Sequence, residues 1–331
     1  MSLPQDLLPG LQPSDWRPHA LHGEACDWPE KNCYADLWVG LLHALGLEPL
    51  AMLGFTVAVD FEDDQWTFFK PPLADLRQLY GIDVQELQVW RPLLDHVRTH
   101  LAAGALVSTE ADAFWLPDTA ATDYRRKHTK TTIVISALDE AGRRARYFHN
   151  AVFFELAGED YERLFRLGLP PDPAFMPFYA ERIRIARRHA DGAAVLAAQA
   201  LALLRGHLAW RPADNPFERF ARRSGEELPR LLEGGLEAFH AWAFAGVRQA
   251  GAAFECLAAH LRWLAPQADP ALAPAAEAFA EVSRGAKALL MKGARAAHTG
   301  RAFDMQAAVG PMAQAWQAGM EVLALRLGGR G

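Results

Sequence analysis

Residues 30–46 read EKNCYADLWVGLLHALG, and this stretch decides how the first half of the chain folds. It places Asn32 directly before Cys33, and its leucines recur at helical spacing until Gly46. Asn is favoured at a helix N-cap, and Gly is favoured just past a helix end. The stretch therefore predicts an amphipathic helix that has Cys33 in its first turn.

The chain after this helix mixes strand and helix patterns. The apolar run at 50–61 predicts a strand, and helical spacing at 72–80 and 91–103 predicts two helices. ALVSTEAD at 105–112 predicts another strand, and a long polar loop follows it.

Two further apolar segments follow that loop, KTTIVISAL at 130–138 and RARYFHNAVFFEL at 144–156. They predict a hairpin around the turn residues DEAG. Helix first and then a mainly antiparallel sheet is an α+β arrangement, and we assign it to residues 1–167.

Composition changes near residue 168, where a proline-rich segment at 168–178 precedes a chain rich in Ala, Leu, Arg and Glu. Its periodicity predicts an all-α helical bundle domain over 168–331. The predicted helices are at about 178–190, 192–208, 215–224, 227–247, 250–264, 271–298 and 304–327.

Charge separates the two halves. Residues 1–165 hold 14 Lys and Arg against 25 Asp and Glu, whereas residues 166–331 hold 20 against 15. Neither half is basic enough for a nucleic-acid binder. The sequence contains no run of 18 apolar residues, so it predicts no membrane span. The absence of a secretory pattern and the presence of only three cysteines favour the cytoplasm.

Cys33 is the candidate nucleophile, because the free N–H groups and the positive dipole end of a helix start favour a thiolate. His128, where the polar loop meets a strand, is the candidate base, and we expect its ring within about 4 Å of the thiol. His149 and Asn150 end the partner strand, and Asn150 is the first choice to orient His128, with His149 as the alternative.

Acidic and basic groups supply candidate binding residues. Asp112 and Asp118 lie in or beside the loop, where they would hold a cationic amine, although turn and capping roles are equally typical of Asp there. Arg184 and Arg188 are four residues apart on a predicted helix, which suggests a docking patch for an acidic carrier protein or a solvated face. Trp66 joins the candidate substrate-binding residues, although such aromatics more often belong to a core.

The chain resembles the bacterial family defined by domain of unknown function 1839. The matching stretches are EKNCYADLWVGLLHALGLEP (30–49), DFEDDQWTFFK (60–70), WRPL (90–93), FWLPDTAATDYRRKHTKTTI (114–133), YFHNAVFFEL (147–156), NPFERF (215–220) and FHAWAFAGVRQAGAAFE (239–255). They cover nearly the whole chain.

The first half is also similar, more distantly, to the papain-like N-terminal domain of the butirosin-biosynthesis acyltransferase. The shared pattern is a Cys that opens a helix, an Asp-x-aromatic-x-Leu-Pro segment beginning at Asp112, and Tyr124 shortly before a His and a hydrophobic strand. This resemblance implies a papain-like domain that moves an aminoacyl group from a carrier-protein thioester to an amine. It also implies a helical second domain, and Tyr124 joins the candidate substrate-binding residues.

Papain-type peptidases carry a Gln six residues before the Cys as an oxyanion donor. Asp27 stands at that position here, which favours acyl transfer over peptide hydrolysis and leaves Asn32 and the Cys33 N–H as donors. The first alternative is a papain-like cysteine hydrolase, either an amidase or a thioesterase. The second alternative is a non-catalytic binding protein on the same fold. The sequence contains no metal-ligand spacing and no phosphate-binding glycine loop, so it predicts no cofactor.

Overall fold

The computed structural model describes residues 3–170, 176–186 and 192–328, and the chain forms two compact units. The first unit comprises Met1–His22, Cys33–Glu48 and Leu76–His189. The second unit comprises Gly23–Asn32, Pro49–Asp75 and Ala190–Gly331. These units interleave along the sequence, so they do not follow the predicted boundary after residue 167.

The strands are, in chain order, β1 Gln5–Asp6, β2 Phe61–Glu62, β3 Gln65–Trp66, β4 Ile82–Glu86, β5 Leu106–Asp112, β6 Lys130–Asp139, β7 Arg144–His149, β8 Val152–Ala157 and β9 Ala180–Ile185. The α-helices are α1 Cys33–Ala44, α2 Leu73–Tyr80, α3 Leu93–Ala102, α4 Gly158–Leu164, α5 Ala193–Leu208, α6 Pro216–Glu233, α7 Gly235–Ala245, α8 Val247–Leu264, α9 Ala273–Thr299 and α10 Met305–Leu327.

An antiparallel sheet forms the centre of the first unit. Its strand order is β4-β9-β5-β6-β7-β8, and β1 pairs with β6. Helix α1 packs against β6, β7 and β8. Helices α3 and α4 share a buried cluster with Ile133, Ile135 and Tyr147, so they cover the sheet face on which those three side chains lie. The mixed α/β architecture with an antiparallel sheet is thereby confirmed.

Helix α1 begins and ends as predicted. Cys33 is its first residue, and Gly46 follows its end with φ +70°. The Leu47 N–H donates to the Leu42 carbonyl oxygen at 2.9 Å, which is the long bond of a Schellman motif. Glycine suits this place because it adopts positive φ without a steric penalty.

The helix predicted at 178–190 is wrong where the structure describes it. Residues Ala180–Ile185 form β9, which pairs with β4 on one side and β5 on the other. The sequence Arg-Ile-Arg-Ile at 182–185 alternates charged and apolar residues, and this is the period of a strand. Arg184 therefore lies on a strand, and Arg188 lies outside the described residues.

The strand predicted at 50–61 is also wrong over most of its length. Residues Pro49–Ala58 form a 3-10 helix whose side chains are almost all buried. A short apolar run that is buried on every side has no amphipathic period, so its pattern cannot separate a strand from a helix. Gly54 lies so close to the ring of His260 that an added Cβ would come within 2.9 Å of Nε2.

The described part of the second unit is mainly helical, as predicted for the C-terminal region, and contains α5 to α10. Helix α6 continues through Pro229, so it joins the predicted segment 215–224 to the start of the next. Within the described ranges, no helix is both long enough and apolar enough to cross a membrane.

Candidate active site

Cys33 is the first residue of α1, and its neighbours Asn32 and Tyr34 are buried. Its side chain is partly accessible, and among the described residues the thiol makes no hydrogen bond. The sequence predicts the His128 ring within about 4 Å of this thiol, and among the described residues no hydrogen bond joins the two side chains. Catalytic hydrogen bonds are often long or absent in the free enzyme, so the pairing stays a prediction.

The next residue, Tyr34, fixes the start of α1 to the sheet. Its hydroxyl donates to the Glu181 carboxylate, with 3.0 Å to each oxygen, and Tyr179 donates to the same carboxylate at 2.9 Å. Burial, together with the Glu181 charge, raises the pKa of Tyr34 above its usual range. The phenol therefore keeps its proton and remains a donor to β9.

His128 is held by a carboxylate. Its Nδ1 lies 2.6 Å from Oδ2 of Asp112, while Oδ1 of Asp112 accepts from the Phe114 N–H at 3.1 Å. The imidazole stacks on the Phe114 ring, with 4.4 Å between centroids and 12° between planes. An ionised carboxylate can only accept, so the tautomer that fits this contact has its hydrogen on Nδ1 and leaves Nε2 as the acceptor.

The loop between β5 and β6 is fastened at several points that place Phe114 and His128. The Ala113 N–H donates to the Thr129 carbonyl oxygen at 2.9 Å, and the Arg125 N–H donates to the Phe114 carbonyl oxygen at 3.0 Å. The Arg125 guanidinium lies over the Trp115 ring at 4.4 Å and pairs with Asp160 at 2.6 Å. These bonds hold a mostly exposed imidazole, 70% accessible, on a fixed support.

The strand register shows which face of the sheet Asp112 occupies. Directly opposite residues of paired strands point to the same face, and alternate residues of one strand do as well. Phe148 lies against Gly40 of α1, and Phe148 pairs with Val134, which pairs with Ser108. Asp112 is four residues beyond Ser108 on β5, so it belongs to the face that α1 covers.

His149 belongs to the opposite face, because it follows Phe148 directly on β7. Its Nδ1 lies 2.6 Å from Oδ2 of Asp118, and its Nε2 lies 2.7 Å from the hydroxyl of Thr131. Both ring nitrogens are occupied, and the residue is 2% exposed. His149 is therefore not the group that orients His128 in this structure.

Asn150 does not orient His128 either. It sits in the turn between β7 and β8 with φ +46°, so the segment 144–156, which the sequence assigns to one hairpin, forms two strands. Among the described residues its side chain makes no hydrogen bond. The side chain that holds His128 is instead Asp112, which the sequence suggests only for substrate binding.

Two family comparisons cover most of the chain. Residues 17–185 match the DUF1839 N-terminal domain, and residues 193–325 match the DUF1839 C-terminal domain. The chain belongs to the DUF1839 family. Among curated proteins, no significant match to it was found.

The DUF1839 N-terminal domain thus contains both Cys33 and the His128–Asp112 pair. It ends at the last residue of β9, which agrees with the place of that strand in the sheet. Within the described ranges, no group of three or more His, Cys, Asp or Glu side chains is arranged to hold a metal ion.

Most of the predicted binding residues of this DUF1839 chain have structural partners. Asp118 is buried and accepts from the Tyr147 hydroxyl, while the Tyr124 hydroxyl donates to Asp160 at 2.8 Å. Arg184 is half-exposed, and its Nη2 lies 3.2 Å from Asp83 of β4. Because Arg184 already pairs with Asp83, it is less available to bind an acidic carrier protein than the sequence suggests.

Two predicted residues lie in the second unit. Asn32 is buried, and its side-chain amide donates to the Phe69 carbonyl oxygen at 3.0 Å. Trp66 is 2% exposed and packs against Phe217 and Phe220, with 4.8 Å and 5.6 Å between ring centroids. Trp66 is a core residue of that unit and offers no surface to a substrate.

Proposed function

We propose that this protein is a cysteine-dependent acyltransferase with a papain-like first unit. It would take an acyl or aminoacyl group from a carrier-protein thioester and give it to an amine. The observation that carries the proposal is the Asp112–His128 pair, 2.6 Å apart, on the sheet face covered by the helix that begins at Cys33.

The reaction would proceed in two balanced halves. Cys33 Sγ attacks the thioester carbonyl carbon while its proton passes to Nε2 of His128, and the carrier thiolate leaves with that proton. The amine then attacks the acyl-enzyme, its proton passes to His128, and the Cys33 thiolate leaves. Asp112 holds the ring in one tautomer and stabilises the imidazolium that forms in each half.

The start of α1 supplies the remaining requirement, a place for the developing oxyanion. The first N–H groups of a helix have no partner within it, and they carry partial positive charge. The anchoring of Tyr34 to Glu181 keeps these groups in one position. Preorganised donors of this kind contribute about 3 kcal/mol each to an acyl-transfer transition state.

Intact-mass analysis tests the proposal. The wild type, Cys33→Ala and Cys26→Ala are incubated with a panel of acyl and aminoacyl thioesters, first without and then with an amine. We expect an adduct on the wild type and on Cys26→Ala, none on Cys33→Ala, and its discharge by the amine. Cys26 is the matched control because it is also a partly exposed cysteine outside any disulfide.

Hydrolysis is the second candidate function, and the exposure of His128 favours it. A side chain that is 70% accessible admits water to Nε2 as readily as an amine. An adduct that decays equally fast with and without the amine would identify a thioesterase or amidase. If no adduct forms and no thioester is consumed, the acyl-transfer proposal is contradicted and a binding protein is favoured.

A further inference from the structure

A cavity of about 390 Å³ lies in the first unit, between the start of α3, the end of α4 and the segment 177–178. Its wall is mainly apolar and aromatic, with two arginines and, among the described residues, no carboxylate. The main lining residues are Trp90, Arg91, Leu93, Phe165, Arg166 and Phe178. Small-molecule sites typically have this size and this mixture of an apolar wall with a few polar groups.

Arg91 carries a positive charge that no described carboxylate neutralises. Its Nη2 donates to the Thr99 hydroxyl at 3.0 Å, and its guanidinium lies 5.3 Å from the centre of the Trp90 ring. Its Nε is buried without a hydrogen-bond partner. Among the described residues the guanidinium makes only the Nη2–Thr99 hydrogen bond, so its other Nη N–H groups can donate to an acceptor on a ligand.

Other basic groups surround Arg91. Burial and then the Arg91 charge lower the pKa of His96, while Asp95 raises it. Burial also lowers the pKa of His100, and the charges of Arg182, His96 and Arg91 act in the same direction. Asp95 is already bound by Arg98. The positive charge of Arg91 therefore acts on both imidazoles, and the described residues place no carboxylate against Arg91 to offset it.

Trp90 completes the site with an aromatic surface. Its side chain is 75% exposed, although large aromatic side chains usually bury most of their surface. A flat ligand that stacks on the indole would remove apolar area from water and bring its own charge to Arg91. Arginine prefers planar anions, because its fork of N–H groups matches a carboxylate.

We propose that this cavity binds a small aromatic carboxylate, with its ring against Trp90 and its carboxylate on Arg91. Leu93 and Leu164 of the wall belong to the cluster on the sheet face opposite α1. The site is thus separate from the His128–Asp112 pair, and it does not depend on the proposed acyl transfer.

Isothermal titration of the full chain with 2-naphthoate tests the site, with 2-naphthamide as the neutral analogue of the same shape. We expect saturable binding of 2-naphthoate and at least about tenfold weaker binding of the amide, since a charge-assisted hydrogen bond contributes about 1.5–3 kcal/mol. Arg91→Gln should weaken 2-naphthoate by a similar factor and leave the amide unchanged. Arg98→Gln is the control, because Arg98 lies on α3, which begins just after Arg91, and is bound to Asp95 and Glu140.

Three results would overturn the proposal. They are no saturable binding of 2-naphthoate, equal binding of the acid and the amide, and unchanged binding of the acid to Arg91→Gln. The comparison of acid and amide uses the wild type alone, so it decides the question even if Arg91→Gln fails to fold. Trp90→Ala should weaken the binding of both ligands. Unchanged affinities in this variant would contradict stacking of the ligand on Trp90.

Discussion

Two histidine–aspartate pairs lie on opposite faces of one sheet and have the same geometry. His128–Asp112 and His149–Asp118 each place Nδ1 2.6 Å from a carboxylate oxygen. The His128 side chain is 70% exposed, whereas the His149 side chain is 2% exposed and has Thr131 on its second nitrogen. The comparison teaches that the pair itself does not mark a catalytic base, because exposure and a free second nitrogen are also needed.

The largest expected effect separates the two histidines by activity. His128→Asn should lower the rate of Cys33 acylation by about 10²–10⁴-fold, the usual loss for a general base. Its melting temperature should change little, because an exposed ring contributes little burial. The measurement is the rate of adduct formation by mass spectrometry, with exposed His298→Asn as the control; a loss below about threefold would contradict the role of His128.

Removing the Asp118 carboxylate from the buried His149–Asp118 pair should lower the free energy of unfolding. Asp118→Ala leaves His149 and the Tyr147 hydroxyl without their shared acceptor, and breaking a buried pair costs about 3–5 kcal/mol. Urea unfolding measures this loss. Asp112→Ala, the control, should cost about 1 kcal/mol, chiefly from the lost acceptor for the Phe114 N–H. Equal losses in the two variants would remove the distinction.

A third histidine extends the comparison to pH. His260 is fully buried in the second unit, where its ring bonds to the Leu50 carbonyl oxygen, and burial lowers its pKa to about 4. The unfolded chain takes up this proton near pH 6.5 and the folded chain does not, so stability falls as the pH drops from about 6.5 towards 4. The full loss, reached below about pH 4, is about 3 kcal/mol, because each unit of pKa difference corresponds to about 1.4 kcal/mol.

Unfolding free energies at pH 7.5, 5.5 and 4.5 check this dependence. In His260→Gln the part of the slope due to this ring should disappear, while in His298→Gln, an exposed control, the slope should stay. A slope that is identical in His260→Gln and the wild type would show that the residue does not titrate as described.

The smallest effect concerns the second bond of His149. Thr131→Val keeps the shape of the side chain but removes the hydroxyl 2.7 Å from Nε2, which leaves a buried nitrogen unpaired. We expect a loss of about 1–2 kcal/mol in urea unfolding and no change in acylation. Thr122→Val, at an exposed turn, should change neither the unfolding free energy nor the acylation rate. An equal loss of stability in Thr122→Val would show that the loss in Thr131→Val does not come from the bond to His149.

The sequence predicted those elements whose pattern has a clear period and a clear end. Helix α1 has leucines at helical spacing between Asn32 and Gly46, and β5 and β6 have bounds within a residue of their prediction. The segment Pro49–Ala58 lacks such a period, since nearly all of it is buried. For β9 the alternation is present in the sequence, but the Ala- and Arg-rich composition around it favours a helix.

The candidate site shows the same limit. Cys33 at a helix start and His128 before a strand follow from local patterns. The carboxylate that holds His128 depends on how β5 and β6 pair. Asp112 of β5 lies opposite Lys130 of β6, and this brings it beside His128, which precedes β6. That register, and the sheet face on which α1 packs, are set by long-range packing, which a local pattern does not contain.

The most direct test of the account compares the two acids by one rate. Cys33 acylation is measured for the wild type, Asp112→Asn and Asp118→Asn at equal concentrations of folded protein, with one thioester that acylates the wild type. The account predicts a fall of about 100-fold or more for Asp112→Asn and less than about threefold for Asp118→Asn. A larger fall for Asp118→Asn, or equal rates in all three proteins, would contradict it.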